Sequence, residues 1–514
     1  MSAAGPLAVL KELPTPYVLT LLAVFSYLLY LQVTRRSHLR LPPGPRGLPF
    51  IGNALQIPPE RAWVTFAKWS ETYGGIMHLS ALGKPTIVLS SPEIVNELLE
   101  KRSAIYSDRP VQTMTSELMG YGPFLPVCAY GSWHREGRRI MAGALSASKM
   151  ADIRQLQMQK TSRLLTKLLN NPEDLWSHMR WFIASISFGV SHGYNVESLE
   201  DPLVRLAERA NLEYCLAAVP GAFLVDVIPA LQYVPDWFPG AGWKQKLKAW
   251  RGTTDRLRDE PFEYVKEQVA KGTAQPSVTA SLIEENPNRS EEEERLFRYM
   301  SSSIYSAGAD TTVSAIESFF MAMMLYPEVQ RKAQLELDTV LGPGHIANWD
   351  DLHRLTYIQA LIYEIYRWNP VAPIALPHRV TQDDVYEGCH IPAGATIVVN
   401  NWAILHDAAL YPEPFEFKPE RYLDSKATGL NPDPRQFAFG YGRRVCPGKT
   451  LAEDSVFIAV TSTLALFEIS KVLDANGAPI EPDSTFDGFI SHPPRFSARV
   501  TPRFPNVERM IPAA

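Results

Sequence analysis

A chain of 514 residues with 50 Lys+Arg against 55 Asp+Glu carries a net charge of -5, and that balance excludes nucleic acid as its principal partner, since a polyanion is met by a basic face. The four cysteines, Cys128, Cys215, Cys389 and Cys446, are scattered without a C-x-x-C pair, which excludes a disulfide framework and a cysteine-built zinc site and fits a reducing compartment. No long Gly/Ser-rich linker divides the sequence, so one large domain behind a short N-terminal segment is expected.

Residues 17–33, YVLTLLAVFSYLLYLQV, form a run of seventeen without a charge. As a helix they span roughly 25 Å at about 1.5 Å per residue, the lower end of what crosses a bilayer. Lys11 and Glu12 cancel before the run and Arg35, Arg36 and Arg40 follow it, so the positive-inside bias keeps the rest of the chain in the cytosol. A cleaved signal peptide is the competing reading; the run is longer than a usual signal core, and no small-x-small cleavage site follows. Residues 1–40 are therefore expected to be a membrane anchor with an N-terminal transmembrane helix, residues 41–46 a proline-rich hinge, and residues 47–514 the catalytic domain.

Two short apolar runs around Gly83-Lys84-Pro85 predict a β-hairpin over 77–89. Ser91 as N-cap and Pro92 at the first helical position predict a helix start. Helical periodicity then dominates, with predicted helices over 156–169, 202–219, 243–271, 291–325, 327–341 and 357–368. The acidic run at 291–294 is read as a solvated helix start favoured by the dipole. Beyond Trp368 prolines multiply and short β runs appear at 396–399 and 496–500, so the last third is expected to be coil and small sheets wrapped on helices. The fold class is mainly α with small β-sheets.

The most informative stretch is residues 439–448, FGYGRRVCPG. Alone, Cys446 reads as a buried inert thiol. Its context says more: Gly440 and Gly442 allow a tight turn close to a flat partner, and Pro447 and Gly448 lead into an apolar helix over 451–466. A helix N-terminus and the nearby Arg443 and Arg444 are expected to favour the thiolate. Upstream, Glu364 and Arg367 share a helix face at i, i+3, and Arg421 can bridge them. Within 291–325, Gly308 costs about 1 kcal/mol relative to Ala and, lacking a side chain, is expected to leave room beside the helix. Thr311 can turn its hydroxyl to the preceding backbone, and Asp310 beside it offers a route for protons.

These motifs resemble, in order, those of the cytochrome P450 family: F-x-x-G-x-R-x-C-x-G at 439–448, E-x-x-R at 364–367, P-E-R-F in the form Pro419-Glu420-Arg421-Tyr422, and A-G-x-D-T-T at 307–312. The resemblance implies the cytochrome P450 fold and the cofactor heme b (iron protoporphyrin IX), with Cys446 as the axial thiolate metal ligand. It gives Glu364, Arg367 and Arg421 a structural role and makes Asp310 and Thr311 the catalytic proton-delivery pair. Phe439, Arg444 and Gly448 of the loop, together with His378, become cofactor-binding positions, with Arg379 a less secure neighbour. The family's C helix reads W-x-x-x-R, whereas here Trp133 stands five residues before Arg138. Arg138 and His134 are therefore the expected propionate donors, Trp133 being the alternative to His134.

The resemblance further places substrate contacts within 112–125, 217–238, a strand over 371–376, and 486–490, including Phe124, Leu125, Phe223, Leu224, Val371, Ile374, Phe486 and Phe489. These are mostly apolar, so a lipophilic small-molecule substrate follows. Residues 216–243 are apolar enough to dip into membrane lipid or to form an ordinary buried helix-loop. The chain looks similar to fungal secondary-metabolism members that oxidise terpenoids and polyketides. It has no G-x-G-x-x-G after a strand, so electrons are expected from a separate NADPH-cytochrome P450 reductase docking near Arg139, Arg443 and Lys449. The implied activity is a monooxygenase using O2 at the endoplasmic reticulum membrane. A same-fold heme isomerase or dehydratase, or a non-catalytic heme sensor, are the alternatives; the Asp310-Thr311 pair argues against both.

Overall fold

The computed structural model describes residues 40–219, 221–423 and 431–513. The anchor expected over 1–40 lies outside these residues except for Arg40. No helix among the described residues is long and apolar enough to cross a membrane.

Helix α1 (Ala62–Tyr73) leads into the hairpin β1 (Ile76–Ala81) and β2 (Lys84–Leu89), as the alternation predicted. Ser91 then accepts from the Ile94 backbone N–H as N-cap, with Pro92 in the first turn. The helical body comprises α2 (Ser132–Ala144), α3 (Ala147–Asn170), α4 (Leu175–His192), α5 (Pro202–Ala218), α6 (Trp243–Lys271), α7 (Val278–Glu285), α8 (Glu291–Leu325), α9 (Pro327–Val340), α10 (Thr356–Trp368) and α11 (Lys449–Leu466). The predicted bounds of α6 and α8 match, and those of α5, α9 and α10 differ by one residue at one end.

Helix α4 escaped the periodicity search. Its sequence LWSHMRWFIASISFGVSH is buried almost all round, so it has no amphipathic stripe to betray it. Two of its serines are satisfied within the helix: Ser185 donates to the Phe182 carbonyl and Ser191 to that of Ser187. Against it lies α8, opened by a capping box in which the Ser290 side chain accepts from the Glu293 N–H and the Glu293 carboxylate accepts from the Ser290 N–H. The acidic first turn Glu291 to Glu294 sits where the helix dipole favours it.

The later strands are β3 (His378–Arg379), β4 (Asp384–Tyr386), β5 (Cys389–Ile391), β6 (Thr396–Val399), β7 (Phe467–Lys471) and β8 (Ala498–Pro502). One sheet runs β1-β2-β6-β3, with β2 and β6 parallel; β4-β5 and β7-β8 form two-stranded sheets. The strand expected over 371–376 is not formed. Only Ile374 makes a bridge, to Asn400, because Pro373 and Pro377 flank it and lack backbone donors.

Candidate functional site

Glu364 and Arg367 on α10 have 0% exposure. Arg367 donates from Nε and Nη2 to the two Glu364 oxygens at 2.7 and 2.8 Å, and Arg421 adds a third bond to Glu364 at 3.1 Å. The remaining arginine donors reach carbonyls of the meander, Leu405, Pro412, Pro414 and Glu416 among them. This triad staples the irregular segment that precedes the cysteine loop.

In that loop Gly440 and Gly442 have φ of 80° and 54°, conformations glycine adopts without strain. A Cβ on Gly442 would collide with the Leu99 carbonyl oxygen, so this glycine permits a backbone-to-backbone approach rather than contact with a flat partner. The Cys446 N–H donates to the Phe439 carbonyl at 2.7 Å, closing the loop ahead of α11. Burial pushes the Cys446 thiol up, while the Gly448 N–H and the Arg138 guanidinium pull the other way without overcoming it. Such an enclosed thiol becomes a thiolate on binding a metal ion, whose charge outweighs the cost of burial.

Arg443 and Arg444 do not take the place expected of them beside the sulfur. The turn Gly442–Arg444 sends Arg443 outward to the Tyr130 hydroxyl at 2.6 Å and Arg444 inward to the carbonyls of Ser107 and Cys128 at 2.7 and 2.8 Å. The cations that act on Cys446 are Arg138 of α2 and Lys449. Arg138 donates to the Val445 carbonyl.

Around Arg444 gathers a basin of positive and imidazole groups. Arg109, which the sequence reading missed, is 7% exposed, and its donors reach only the carbonyls of Pro126, Leu376 and Pro377. Burial and the neighbouring Arg444 push it down to about 9. His378 bonds the Tyr106 carbonyl through Nδ1 at 2.7 Å. His134 is buried with an unpartnered Nδ1. Burial and the surrounding arginines hold both imidazoles at about 3, so both are neutral donors. Among the described residues no carboxylate pairs with Arg109, Arg138 or Arg444. Three cations and an orphaned imidazole with no carboxylate in contact, only the more distant charge of Asp108 acting on Arg109 and Arg444, fit a buried ligand carrying more than one carboxylate, as heme b does in its propionates. Trp133 is turned elsewhere: its indole donates to the Pro123 carbonyl at 2.9 Å, and Arg295 stacks on it.

On α8 the stretch from Met300 to Tyr305 and that from Thr312 onward are buried, whereas Ala307 is exposed and Gly308 to Thr311 are half-buried. That face therefore opens onto space a water molecule can enter. The Thr311 hydroxyl donates to the Ala307 carbonyl at 2.9 Å, the expected back-bond, within an unbroken helix. A Cβ on Gly308, however, would meet the Ser187 hydroxyl of α4 at 3.2 Å and nothing else. The glycine is there for helix packing, not for room on the open face. Asp310 lies 3.6 Å from Arg180 of α4 and 3.3 Å from His492. Burial raises its carboxyl, but His492 and Arg180 outweigh that and hold it below the usual carboxylate range.

Of the expected substrate positions, Phe124 and Leu125 are buried, and the Leu125 N–H donates to the Ser303 hydroxyl of α8. Phe489 packs on Tyr214, which packs on Tyr121 at 4.7 Å, an aromatic cluster that includes Phe124. Leu224 is 64% exposed on the outside, Phe486 packs edge-on against Trp368, and Phe223 against Trp250, so these three serve the scaffold or the surface. Asp226 ties two of the expected regions together: its carboxylate accepts from the Met114 N–H at 2.8 Å, and its carbonyl accepts from Lys84.

Among the described residues no group of three or more His, Cys, Asp or Glu side chains converges as a metal cage. An iron held at Cys446 has to bring its other ligands with it, as a porphyrin does.

A family model described as Cytochrome P450 matches residues 42–500. The chain is 40% identical over 475 residues to Cytochrome P450 monooxygenase 208 of Postia placenta, covering 92% of both chains. It is 40% identical over 509 residues to Cytochrome P450 monooxygenase claR of Ampulloclitocybe clavipes, covering 98% of this chain and 94% of the relative. To Tryptamine 4-monooxygenase of Psilocybe cyanescens it is 40% identical over 504 residues, covering 96% and 99%.

Proposed function

The chain belongs to the cytochrome P450 family and is a monooxygenase of it that works with heme b, O2 and a redox partner; from that premise we propose that Cys446 is the axial ligand, that Asp310 and Thr311 deliver protons, and that the substrate is a lipophilic secondary metabolite. When bound, the heme would supply the activation of dioxygen, one oxygen atom entering a substrate C–H bond and the other leaving as water with two electrons from the redox partner and two protons.

The observation that carries the reading is the basin of Arg109, Arg138, Arg444 and the buried imidazoles next to the Cys446 loop. Arg109, Arg138 and Arg444 would neutralise the two propionates and His134 would donate to one as a neutral ring, while His378, whose single N–H goes to the Tyr106 carbonyl, would need a second proton to join them. From the loop, the Gly448 N–H faces the sulfur and tempers its basicity. On α8 the Thr311 hydroxyl would pass a proton, and ionised Asp310 would exchange protons with the outside. The aromatic cluster of Tyr121, Phe124, Tyr214 and Phe489 excludes water and packs against an apolar substrate of the terpenoid or polyketide class. A same-fold isomerase or dehydratase is not favoured, because it has no use for the Asp310-Thr311 pair; the same holds for a non-catalytic sensor.

Electrons come from NADPH-cytochrome P450 reductase, docked on the exposed cations Arg139 and Arg443 near the loop. Tyr233 and Trp237, 81% and 80% exposed, stand with Leu224 and Phe238 as an apolar face that seats in membrane lipid alongside an anchor in residues 1–40 and a hinge at 41–46. The positive-inside bias of Arg35, Arg36 and Arg40 supports residues 47–514 facing the cytosol at the endoplasmic reticulum membrane. The test is reconstitution of membranes with reductase, NADPH and labelled O2 against a panel of terpenoids and polyketides. One labelled oxygen atom in the product supports the reading; product formed without O2 or NADPH refutes it.

A further inference from the structure

Helix α8 turns a polar face toward the C-terminal loop, where Asp310, Ser314, Glu317 and Ser318 recur at helical spacing. The loop is closed by paired backbone bonds between Asp487 and His492 at 3.0 and 2.9 Å. Ser314 donates to the Ser491 carbonyl. The Ser491 hydroxyl donates to Asn369 Oδ1 at 2.8 Å, and Asn369 Nδ2 donates to the Ser318 hydroxyl at 2.8 Å. This seam fixes the residue that follows Ser491.

His492 presents Nδ1 to Glu317 Oε2 at 2.7 Å and Nε2 to Asp310 Oδ2 at 3.3 Å. Two carboxylates seven residues apart on one helix thus share one imidazole. The other ionisable groups facing this cluster are Arg180 of α4, 3.6 Å from Asp310, two of α5, Glu208, 3.6 Å from Arg180, and Cys215, which feels the Asp310 charge, and Tyr305 of α8, which feels both Glu208 and Asp310. A neutral ring carries one N–H and leaves one carboxylate facing a lone pair; only the imidazolium presents a proton to both. Glu317 has 0% exposure, and its Oε1 has no hydrogen-bond partner, so losing the charge on His492 strands a buried carboxylate. Burial pulls His492 down, but Asp310 and Glu317 prevail and raise it to about 9. Asp310 divides its oxygens between two cations, Oδ2 facing His492 and Oδ1 facing Arg180, and the His492 contact is not aligned as a hydrogen bond, so the carboxylate is held by charge rather than by a directed bond.

We propose that His492 is the positioning residue of the proton-delivery site: as a cation braced by Glu317, it parks ionised Asp310 against the C-terminal loop and releases it toward Thr311. This rests on the reading that Asp310 serves proton delivery.

The test uses the full-length, heme-loaded protein. Deuterium exchange at the imidazole C2 position, followed by mass spectrometry across pH, gives the midpoint for each histidine. His492 is expected to titrate near 9 and to fall by about one unit or more in Glu317→Gln, where a bracing charge is lost. With reductase and NADPH, and without added substrate, the hydrogen peroxide formed per NADPH is expected to rise as pH passes that midpoint. In His492→Gln, or His492→Asn should the first not fold, it is expected to be several-fold higher at neutral pH and independent of pH over the same range. A His492 midpoint at the ordinary 6.5, or a variant with the wild-type peroxide fraction and pH profile, overturns the inference. The reduced carbon monoxide spectrum of the same samples separates the two levels: a thiolate-type spectrum with an ordinary His492 sinks the positioning role alone, and absence of that spectrum sinks both.

Discussion

Arg367 holds both oxygens of Glu364 in a two-pronged grip, and water reaches neither side chain. Removing one partner leaves the other charged and buried, which costs about 3–5 kcal/mol. Glu364→Ala and Arg367→Met are therefore expected to lose stability on that scale and to yield little heme-containing protein. Urea midpoints and heme content of the soluble fraction check this. A variant with wild-type midpoint removes the structural role.

Cys446→Ala is expected to abolish the thiolate-type carbon monoxide spectrum. Because the loop is closed by the Cys446 N–H to the Phe439 carbonyl, a backbone bond the variant keeps, the fold is expected to survive. Persistence of the spectrum would point to another ligand.

Arg109→Leu and Arg444→Leu are expected to speed heme loss by at least about tenfold, the scale of one charge-assisted hydrogen bond. Arg443→Ala, whose side chain bonds the Tyr130 hydroxyl at the surface, is expected to leave it unchanged. Transfer of heme to an acceptor protein measures all three, and equal rates would dissolve the proposed basin.

Thr311→Ala is expected to divert NADPH to hydrogen peroxide several-fold more than in the wild type, with heme content unchanged. The lost hydroxyl is the one that bonds the Ala307 carbonyl on the open face of α8. An unchanged peroxide fraction would remove Thr311 from proton delivery.

Stability is expected to peak near pH 6.5 and fall on either side. Burial holds His192 at about 3, against 6.5 ordinarily. The unfolded chain therefore takes up the extra proton first, and stability is lost as pH falls from 6.5 toward 3. His492 is raised to about 9, so its contribution is complete below 6.5 and is lost as pH rises through 9. Thermal unfolding across pH checks both limbs: His192→Leu should make the acid limb shallower, the share left belonging to His134, His378 and His406, which burial also holds at about 3, and His492→Gln should flatten the alkaline one. An unaltered limb contradicts the corresponding assignment.

What the sequence disclosed depended on whether a residue's partners lie nearby in the chain. Helix Glu291–Leu325 is buried on every side from Thr312 to Met324 but is announced by Ser290 and the acidic first turn, whereas Leu175–His192, also buried almost all round, has no side-chain cap to announce it. Glu364, Arg367, Thr311 and Cys446 stand in short motifs with fixed offsets. Arg109 does not: it meets the carbonyls of Leu376 and Pro377, some 267 residues away, and nothing local marks it. His492 is likewise 175 residues from Glu317. The arginines of the cysteine loop were recognised as important, but their directions were misread, because a 3-10 turn places successive side chains on different sides.

Asp226 clasps two segments at once, the Met114 backbone and the tip of the β1–β2 hairpin through Lys84. Each such bond nets only about 1 kcal/mol, so thermal motion undoes the clasp and remakes it. Between segments 112–125 and 217–238 the fold thus carries a latch rather than a wall, and a change that removes the Asp226 carboxylate unties both from one point.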